Sequence, residues 1–364
     1  MTSIRIRRPF DTHVHGRQGK LLSTIAPMTA AQFWGAIFEP NLVPPVITAD
    51  DGNQYREQIQ IVCRAYDFVP FVLSYLTDTV NPDELGRALA DGAFIGTKFY
   101  PRGATTNSEN GVQDVQTLYT PGCPQFDALC AIAANGAILQ LHCELNYDFN
   151  GNELDPYRKE AYFFAEVLPR LIDAHPDLKI SCEHLTCSEG AVFLRENGGP
   201  RLGCSITPHH LLYDRRDMFR GGLRPHVFCL PVVKAEEHNR ELLDLVTSGL
   251  PFVYAGTDSA PHDRRKKECD CCSGGLFSAH AAVEFYAESF DRRNALDDRF
   301  EQFMSINGPI FYGLEPSDGY LELTAEPWAV DSPVQYSDDP EDVVWPMGYH
   351  PDANQQFPLC WRAK

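Results

Sequence analysis

Short apolar runs, rich in β-branched or aromatic residues, alternate with segments of helical periodicity along most of this sequence. Such alternation is typical of parallel strands joined by crossover helices. The apolar runs predict eight strands, at residues 4–12, 35–41, 68–76, 93–100, 137–144, 178–185, 201–207 and 251–258. The intervening segments predict helices at 54–67, 82–91, 125–135, 160–175 and 235–248.

Eight such strands predict an α/β fold, a closed (β/α)8 TIM barrel. The alternative is an open doubly wound sheet, but no glycine-rich phosphate-binding turn follows the first strand, which disfavours a dinucleotide-binding version. We expect the barrel to occupy residues 1–313. Residues 314–364 are acidic, aromatic and interrupted by proline, and we expect them to form an irregular extension packed on the barrel.

Local signals mark some of the element ends and loops. Asn81 followed by Pro82 predicts the start of a helix, and Gly249 predicts the end of another. Two polar stretches, 102–123 and 261–278, interrupt the alternation. Long loops on the carboxyl face of a barrel commonly form lids and binding sites, so both stretches are candidates for that role.

The charge balance excludes some classes of function. The chain has 31 Lys and Arg against 50 Asp and Glu, a net charge of −19. Such a chain is poorly suited to wrap nucleic acid or to lie on an anionic membrane. The sequence shows neither a signal-peptide pattern nor an apolar run of membrane-spanning length, so we expect a cytoplasmic protein. In such a chain the twelve cysteines are expected to be buried thiols and not a disulfide framework.

The first candidate metal ligands are His13 and His15, in the segment DTHVH. Residues two apart on a strand point to the same side, so the two imidazoles can reach one metal ion. Most isolated pairs of this kind are ordinary core or surface histidines. The interpretation therefore depends on the rest of the chain.

Three further candidates, His142, His184 and Asp258, each end a predicted strand. In a barrel these ends converge on one face, where catalytic groups gather. Each of the three, taken singly, could be an ordinary structural polar residue. That several predicted strands end in a histidine or aspartate by chance is much less expected. Histidine and carboxylate ligands suit zinc, and four histidines exceed what one catalytic zinc with an open position needs. The sequence thus indicates two metal ions.

Lys98 ends another strand-like run, FIGTKFY, and would point into the same mouth. It can be read as a snorkelling lysine or as a counter-ion for substrate. It can also be read as a lysine whose amine has reacted with CO₂, giving a carbamate whose oxygens bridge two cations. Spacing alone leaves these interpretations open.

Several longer segments resemble one known family. They are DTHVHGR (11–17), EPNLVPPV (39–46), TKFYPRGATTNSENGV (97–112), LQLHCE (139–144), CEHLT (182–186), TPHHLLYDRRDMFRGGLRPHVFCLPVVK (207–234), GTDSAPHDRRKKE (256–268) and NGPIFYGL (307–314). In this order, and over nearly the whole chain, they are similar to the dihydroorotase family of the amidohydrolase superfamily, in its shorter, monofunctional bacterial class.

The resemblance implies a binuclear zinc barrel that reversibly cyclises N-carbamoyl-L-aspartate to L-dihydroorotate in pyrimidine biosynthesis, as a homodimer. It also implies the ligands: one zinc is held by His13, His15 and Asp258, the other by His142 and His184, and carboxylated Lys98 bridges both. A metal-bridging hydroxide would be the nucleophile, with Asp258 as general acid and base.

The resemblance further implies the substrate contacts. Arg17, Asn41 and His262 would bind the substrate carboxylates, Leu230 and Gly274 would offer backbone contacts to the ring, and Thr105 and Thr106 would lie on a mobile loop that closes over it. A guanidinium at position 17 would let an acidic protein bind an anionic substrate. The alternative for His262 is a loop histidine that caps a turn after Pro261.

The sequence departs from the family pattern in two places. Gln18 stands where the family usually has an acidic residue, and the loop 269–275, CDCCSGG, has its own arrangement of cysteines, so the assignment of Gly274 depends on the alignment. Cys269, Cys271 and Cys272 offer an alternative thiolate metal site, although no second cysteine pair stands at zinc-finger spacing.

Three other functions remain as alternatives. Another cyclic amidohydrolase, such as a hydantoinase or allantoinase, would share the metal ligands, but Arg17, Asn41 and His262 together favour a carboxylated ring. A non-catalytic homologue serving as a structural partner typically loses metal ligands, and this chain retains all six. A regulatory nucleotide-binding or nucleic-acid-binding protein is disfavoured by the net charge.

Overall fold

The computed structural model describes residues 2–364, and it confirms the barrel. Eight parallel strands follow one another in chain order, from β2 to β9, around a single sheet. The thirteen strands are β1 Ser3–Arg7, β2 Phe10–Val14, β3 Gly35–Phe38, β4 Val69–Tyr75, β5 Gly96–Phe99, β6 Ile138–Leu141, β7 Lys179–Cys182, β8 Leu202–Ile206, β9 Val253–Ala255, β10 Tyr320–Ala329, β11 Val334–Gln335, β12 Val343–Val344 and β13 Pro358–Ala363.

Helices follow most of the barrel strands, as the crossover pattern requires. They are α1 Gly19–Gln32, α2 Ala49–Cys63, α3 Pro82–Ala90, α4 Pro124–Ala134, α5 Lys159–Glu166, α6 Leu168–Ala174, α7 Ser188–Asn197, α8 Pro208–Leu212, α9 Glu236–Val246, α10 Arg264–Lys267, α11 Ala282–Asp291, α12 Asp298–Glu301 and α13 Asn307–Phe311. Short 3₁₀ turns lie at Val115–Leu118, Pro225–Val227 and Ala353–Gln355, and a π-helical turn at Gln302–Ile306.

The sheet closes between its first and last strands. The N–H of Asp258 donates to the carbonyl of His13 at 2.8 Å, and the N–H of His15 donates to the carbonyl of Ser259 at 3.1 Å. These bonds hold the carboxyl ends of β2 and β9 together. The closure therefore runs directly through three of the residues that the sequence marked as metal ligands.

The predicted single strand at 4–12 is wrong in its extent, because the chain leaves the barrel sheet between Arg7 and Phe10. Pro9 has no N–H to offer to a ladder. The segment before it, β1, instead pairs antiparallel with β10 of the tail, with Ile4 opposite Leu323. This three-stranded sheet has the order β1-β10-β13.

Helix boundaries follow the local signals where those signals are strong. The Asn81 side chain accepts from the N–H groups of Asp83 and Glu84 at 3.1 and 3.3 Å, which confirms the predicted start of α3. The predicted helix at 160–175 is instead two helices, because Pro169 lies at the start of α6 and cannot continue the hydrogen bonds of α5. No predicted helix corresponds to α1, α7, α8, α10, α11, α12 or α13.

One apolar cluster closes the amino-terminal end of the barrel. It includes Phe10 and Ile138, the first residues of β2 and β6, together with Tyr254, Phe311 and Tyr312. Because this end is filled by side chains, a pocket that a substrate could enter is expected at the carboxyl end. The fold thus leaves one mouth for chemistry.

The tail from residue 314 packs on the outside of the barrel through β13 and α11. The N–H of Trp361 donates to the Glu288 carboxylate at 3.2 Å, and Trp328 Nε1 donates to the Trp361 carbonyl at 2.7 Å. Within residues 2–364 all twelve cysteines are free thiols. Over the same residues, no helix is both long and apolar enough to cross a membrane.

Candidate active site

The six predicted ligands lie around the carboxyl-terminal mouth of the barrel. His13 lies in β2 and Lys98 in β5, while His142 follows directly after β6 and His184 is the second residue beyond β7. Asp258 lies three residues beyond β9. The rings of His13 and His184 have centroids 5.1 Å apart, so residues from distant strands meet in one place.

His13, His15 and Asp258 form one compact group of donor atoms. Asp258 Oδ1 lies 3.1 Å from His15 Nε2 and 3.6 Å from His13 Nε2. Ligand atoms from all three side chains lie within 4.8 Å of one another, and all three residues are buried. This is a concave set of two imidazole nitrogens and a carboxylate oxygen.

His142 and His184 form a second pair beside it. His142 Nδ1 lies 3.2 Å from His184 Nε2. Two nitrogens held at about 2.0 Å by one tetrahedral ion are separated by about 3.3 Å. The observed separation therefore matches that of two ligands of a single cation.

Lys98 is fully buried, and its Nζ has no hydrogen-bond partner among the described residues. The nearest carboxylate oxygen is Oε2 of Glu39, at 3.5 Å, and that oxygen already accepts a hydrogen bond from the Tyr100 hydroxyl at 2.7 Å. Burying an amine without a hydrogen-bond partner is costly. This environment is unusual for a lysine and distinguishes Lys98 from the other residues of the site.

Carboxylates that the sequence analysis did not single out hold the histidines in place. Glu183 Oε2 lies 2.8 Å from His13 Nδ1, and Glu144 Oε2 lies 3.0 Å from His142 Nε2. Each contact leaves the other ring nitrogen facing the centre of the site. Both acids stand within two residues of a ligand histidine in the sequence, in CEH and HCE, and this was the available signal.

A third carboxylate, Asp11, joins the strand ends. It accepts from the N–H of His13 at 3.1 Å and from the N–H of Thr257 at 2.8 Å. Burial raises its pKa to about 7. Asp11 stands in the DTHVH segment but had been given no role there.

Backbone strain is concentrated at this mouth. Arg17, His184 and Asp258 have φ angles of 59°, 42° and 41°, in the left-handed region that side chains other than glycine rarely occupy. Such conformations persist where the surrounding structure holds them and cluster at functional sites. They let these side chains turn inward just after their strands.

Burial determines the protonation of the histidines. It lowers the pKa of His15 to about 3, and it lowers the pKa values of His13 and His184 well below the ordinary range. Neutral imidazoles keep a lone pair for a metal ion. Burial also raises the pKa of Asp258 to about 7. The donor set, neutral nitrogens with a carboxylate, fits a borderline divalent cation such as zinc.

Arg17 and His262 lie together at the rim. Arg17 Nη2 is 3.1 Å from His262 Nε2, and Arg17 Nε donates to the Pro261 carbonyl at 3.0 Å. The same His262 nitrogen is 3.0 Å from the Gly274 carbonyl. His262 thus faces both a guanidinium and the peptide at Gly274.

The predicted loop residues cover the site from the other side. Thr106 Oγ1 donates to the Gly274 carbonyl at 3.3 Å, and Asn41 Nδ2 donates to the Thr106 carbonyl at 3.0 Å. One cavity is lined by the four candidate ligand histidines, Asp258, Arg17, Asn41, Thr105, Thr106, Leu230 and Gly274. The structure therefore brings most of the candidate ligands and substrate residues to a single pocket, whereas Lys98 and His262 do not line it.

The cysteine loop is arranged differently. Cys269 and Cys271 are exposed with their sulfurs 3.6 Å apart, while Cys272 Sγ points at the Pro225 carbonyl, 3.7 Å away. A separate buried group, His209, His210 and Cys229, also has ligand atoms within 4.8 Å. In that group His210 is engaged through both nitrogens, by Thr207 and by the Pro231 carbonyl.

Comparison with known proteins places this geometry in context. The chain is 43% identical over 340 residues to a protein of Azoarcus sp. named dihydroorotase, covering 93% of this chain and 95% of that protein. It is similar to the crystal structure of dihydroorotase from Saccharomyces cerevisiae in complex with 5-fluoroorotic acid, with a TM-score of 0.88, 26% identity and coverage of 100% and 99%.

A more distant likeness concerns the fold alone. The L-hydantoinase of Arthrobacter aurescens superposes with a TM-score of 0.73 at 17% identity, over 99% of this chain and 82% of that one. A search against models of protein families found no match.

Proposed function

Because the chain belongs to the dihydroorotase family, we propose that it catalyses the reversible cyclisation of N-carbamoyl-L-aspartate to L-dihydroorotate with two zinc ions. The observation that carries this proposal is the meeting of two groups of metal-ligand side chains with Arg17 and His262 at one barrel mouth. The ligands could serve many amide hydrolases, whereas the cationic rim favours a carboxylated ring.

In this proposal His13, His15 and Asp258 would hold one ion, and His142 and His184 would hold the other. Lys98, converted to a carbamate by CO₂, would supply oxygen ligands to the centre. Its buried amine supports that assignment, since it has no hydrogen-bond partner within residues 2–364. When bound, the ions supply Lewis acidity, which polarises the reacting carbonyl and lowers the pKa of a water molecule.

Asp258 moves the proton. In the biosynthetic direction its carboxylate accepts a proton from the ureido NH₂ group as that nitrogen bonds to the side-chain carboxyl carbon. That proton and one more from solvent pass to the departing carboxyl oxygen, which leaves as water. In the hydrolytic direction it returns a proton to the departing ring nitrogen. Its position supports this role, because the Asp258 carboxylate lines the cavity and lies beside His13 and His15, within reach of a reacting group there.

Arg17, Asn41 and His262 orient the substrate through its carboxylates. A guanidinium pairs with a carboxylate through two parallel hydrogen bonds, and this pairing overcomes the net charge of −19. Leu230 and Gly274 offer backbone groups to the ring, and Thr105 and Thr106 close over it. The contact between Thr106 and the Gly274 carbonyl supports such a closed position.

The test is a panel of cyclic amides. The purified zinc protein should open L-dihydroorotate with kcat/KM at least about a hundredfold above hydantoin, allantoin and dihydrouracil, because only the first carries a carboxylate for Arg17. A preference for hydantoin or allantoin would replace the proposal with the alternative activity. Opening of none of them by fully metallated protein would favour the non-catalytic alternative.

We further propose that the enzyme acts as a homodimer in the cytoplasm, as an enzyme of pyrimidine biosynthesis. Sedimentation velocity at micromolar concentration measures the first point directly, since one 40.9 kDa chain and a pair differ twofold in mass.

A further inference from the structure

Lys267, the last residue of α10, is a buried lysine that pairs with no carboxylate in residues 2–364. Only 3% of it is exposed. Its Nζ donates to three main-chain carbonyls: those of Phe228 at 2.8 Å, Ser273 at 2.8 Å and Gly275 at 2.9 Å. Hydrogen bonds from an ammonium are stronger than neutral ones, and here they offset part of the cost of burial, which lowers the pKa of Lys267 to about 8.

The three carbonyls come from two segments that border the candidate pocket. Ser273 and Gly275 flank Gly274, and Phe228 stands two residues before Leu230. The N–H of Gly275 also donates to the Phe228 carbonyl at 3.0 Å. The ammonium therefore joins the segment that carries Leu230 to the segment that carries Gly274.

The peptide at Gly274, held between these two segments, also contacts residues at the rim of the pocket. Its carbonyl accepts from Thr106 Oγ1 and lies 3.0 Å from His262 Nε2, which in turn lies 3.1 Å from Arg17. The fit is close, since a Cβ at Gly274 would lie 3.0 Å from Leu230 Cγ. A small shift of this peptide would thus displace His262 and the loop at Thr106 together.

We propose that Lys267 is a positioning residue that sets the affinity for the carboxylated ring, by fixing the peptide at Gly274 against His262 and Leu230. This inference rests on the function proposed above. Because the residues it positions bind substrate before and during the reaction alike, its loss should raise KM and leave kcat nearly unchanged.

The test is Lys267→Met, which keeps the length of the side chain and removes all three donors. For hydrolysis of L-dihydroorotate, KM should rise at least about tenfold while kcat changes less than about threefold and the zinc content per chain stays constant. Lys267→Arg, which keeps the charge and several donors, should recover part of the loss in KM.

The matched control is Lys179→Met. Lys179 begins β7 at the closed end of the barrel, and its Nζ donates to the Phe311 carbonyl at 2.6 Å. This variant loses a similar lysine–carbonyl bond far from the pocket, so its thermal stability should fall while its KM stays that of the wild type. A rise in KM for both variants would mean a general structural effect and would overturn the proposal.

The proposal that Lys267 positions the peptide at Gly274 would also be overturned if folded Lys267→Met kept the KM of the wild type. A fall in kcat together with loss of zinc in this variant would overturn it as well. If Lys267→Met does not fold, Gly274→Ala disturbs the same peptide with Lys267 intact and should raise KM alone; an unchanged KM there would refute the inference. Wild-type protein that does not open L-dihydroorotate contradicts the proposed function itself, which is a distinct result.

Discussion

The Nδ1 atom of His13 lies 2.8 Å from the Oε2 atom of Glu183, although the two residues are 170 positions apart. Glu183 Oε2 also accepts from Ser205 Oγ at 2.7 Å, and that hydroxyl oxygen accepts from the N–H of His184 at 2.9 Å. One carboxylate thus holds the ring of one candidate ligand and, through a serine, the backbone of another. It links the two proposed halves of the metal centre.

We predict that Glu183→Gln lowers zinc affinity about 10- to 100-fold, because a neutral amide fixes the tautomer of His13 less firmly and makes its other nitrogen less basic. Competition with a chelator of known affinity measures the change. The control is Glu288→Gln, another buried acid, which contacts the tail strand β13 instead of the site. Equal zinc affinity in Glu183→Gln and wild type would contradict this role.

The sequence could predict the barrel and the candidate ligands for one physical reason. Parallel strands place their carboxyl ends on one face of the barrel. Histidines and aspartates that end several of the strands are therefore expected to lie close together, even though no contact between them is visible in the sequence. His142, His184 and Asp258 were found in this way. Only the strand order and the positions of strand ends were needed, and both follow from local apolar patterns.

What the sequence could not predict depends on non-local contacts. The pairing of β1 with β10 joins residues more than 300 positions apart, and no local pattern indicates it. Lys267 reads as part of a charged, exposed run, RRKKE, because its acceptors are main-chain carbonyls that carry no sequence signal. The left-handed backbone at His184 and Asp258 is likewise imposed by tertiary structure.

We predict that Asp258→Ala lowers kcat for L-dihydroorotate hydrolysis by at least about 10²- to 10⁴-fold, the usual contribution of a general acid and base. Binding of substrate should persist in part, because Arg17 and His262 remain. Steady-state kinetics, with calorimetric titration of orotate as a non-reacting ligand, separates the two effects. A near-normal kcat would exclude Asp258 as the proton carrier.

Acid should destabilise the fold through His280, which lies between the rings of Phe277 and Phe285. Burial lowers its pKa from 6.5 to about 3. Between these values the unfolded chain takes up a proton that the folded chain does not, so the free energy of unfolding contributed by this group falls by about 1.4 kcal/mol per pH unit as the pH drops below 6.5.

His280→Phe keeps an aromatic ring in that position and cannot take up the proton. Urea unfolding at pH 7.5, 6.0 and 5.0 should therefore show a variant that loses less stability than wild type at each acidic step, by up to about 1 kcal/mol per unit. Parallel losses in the two proteins would show that His280 is protonated in the fold and that its burial has no such consequence.

Lys98→Ala should lose zinc and activity together, because the proposed bridging oxygens come only from the modified lysine. A short carboxylic acid such as acetate can enter the space left by the side chain and supply two oxygens in the same place. We therefore expect millimolar acetate to restore part of both zinc content and turnover. In Lys179→Ala, whose lysine lies at the closed end of the barrel, acetate should have no effect. Full zinc content in Lys98→Ala without any added acid would show that zinc binding does not need a carbamate at position 98, and it would contradict the proposed role of Lys98.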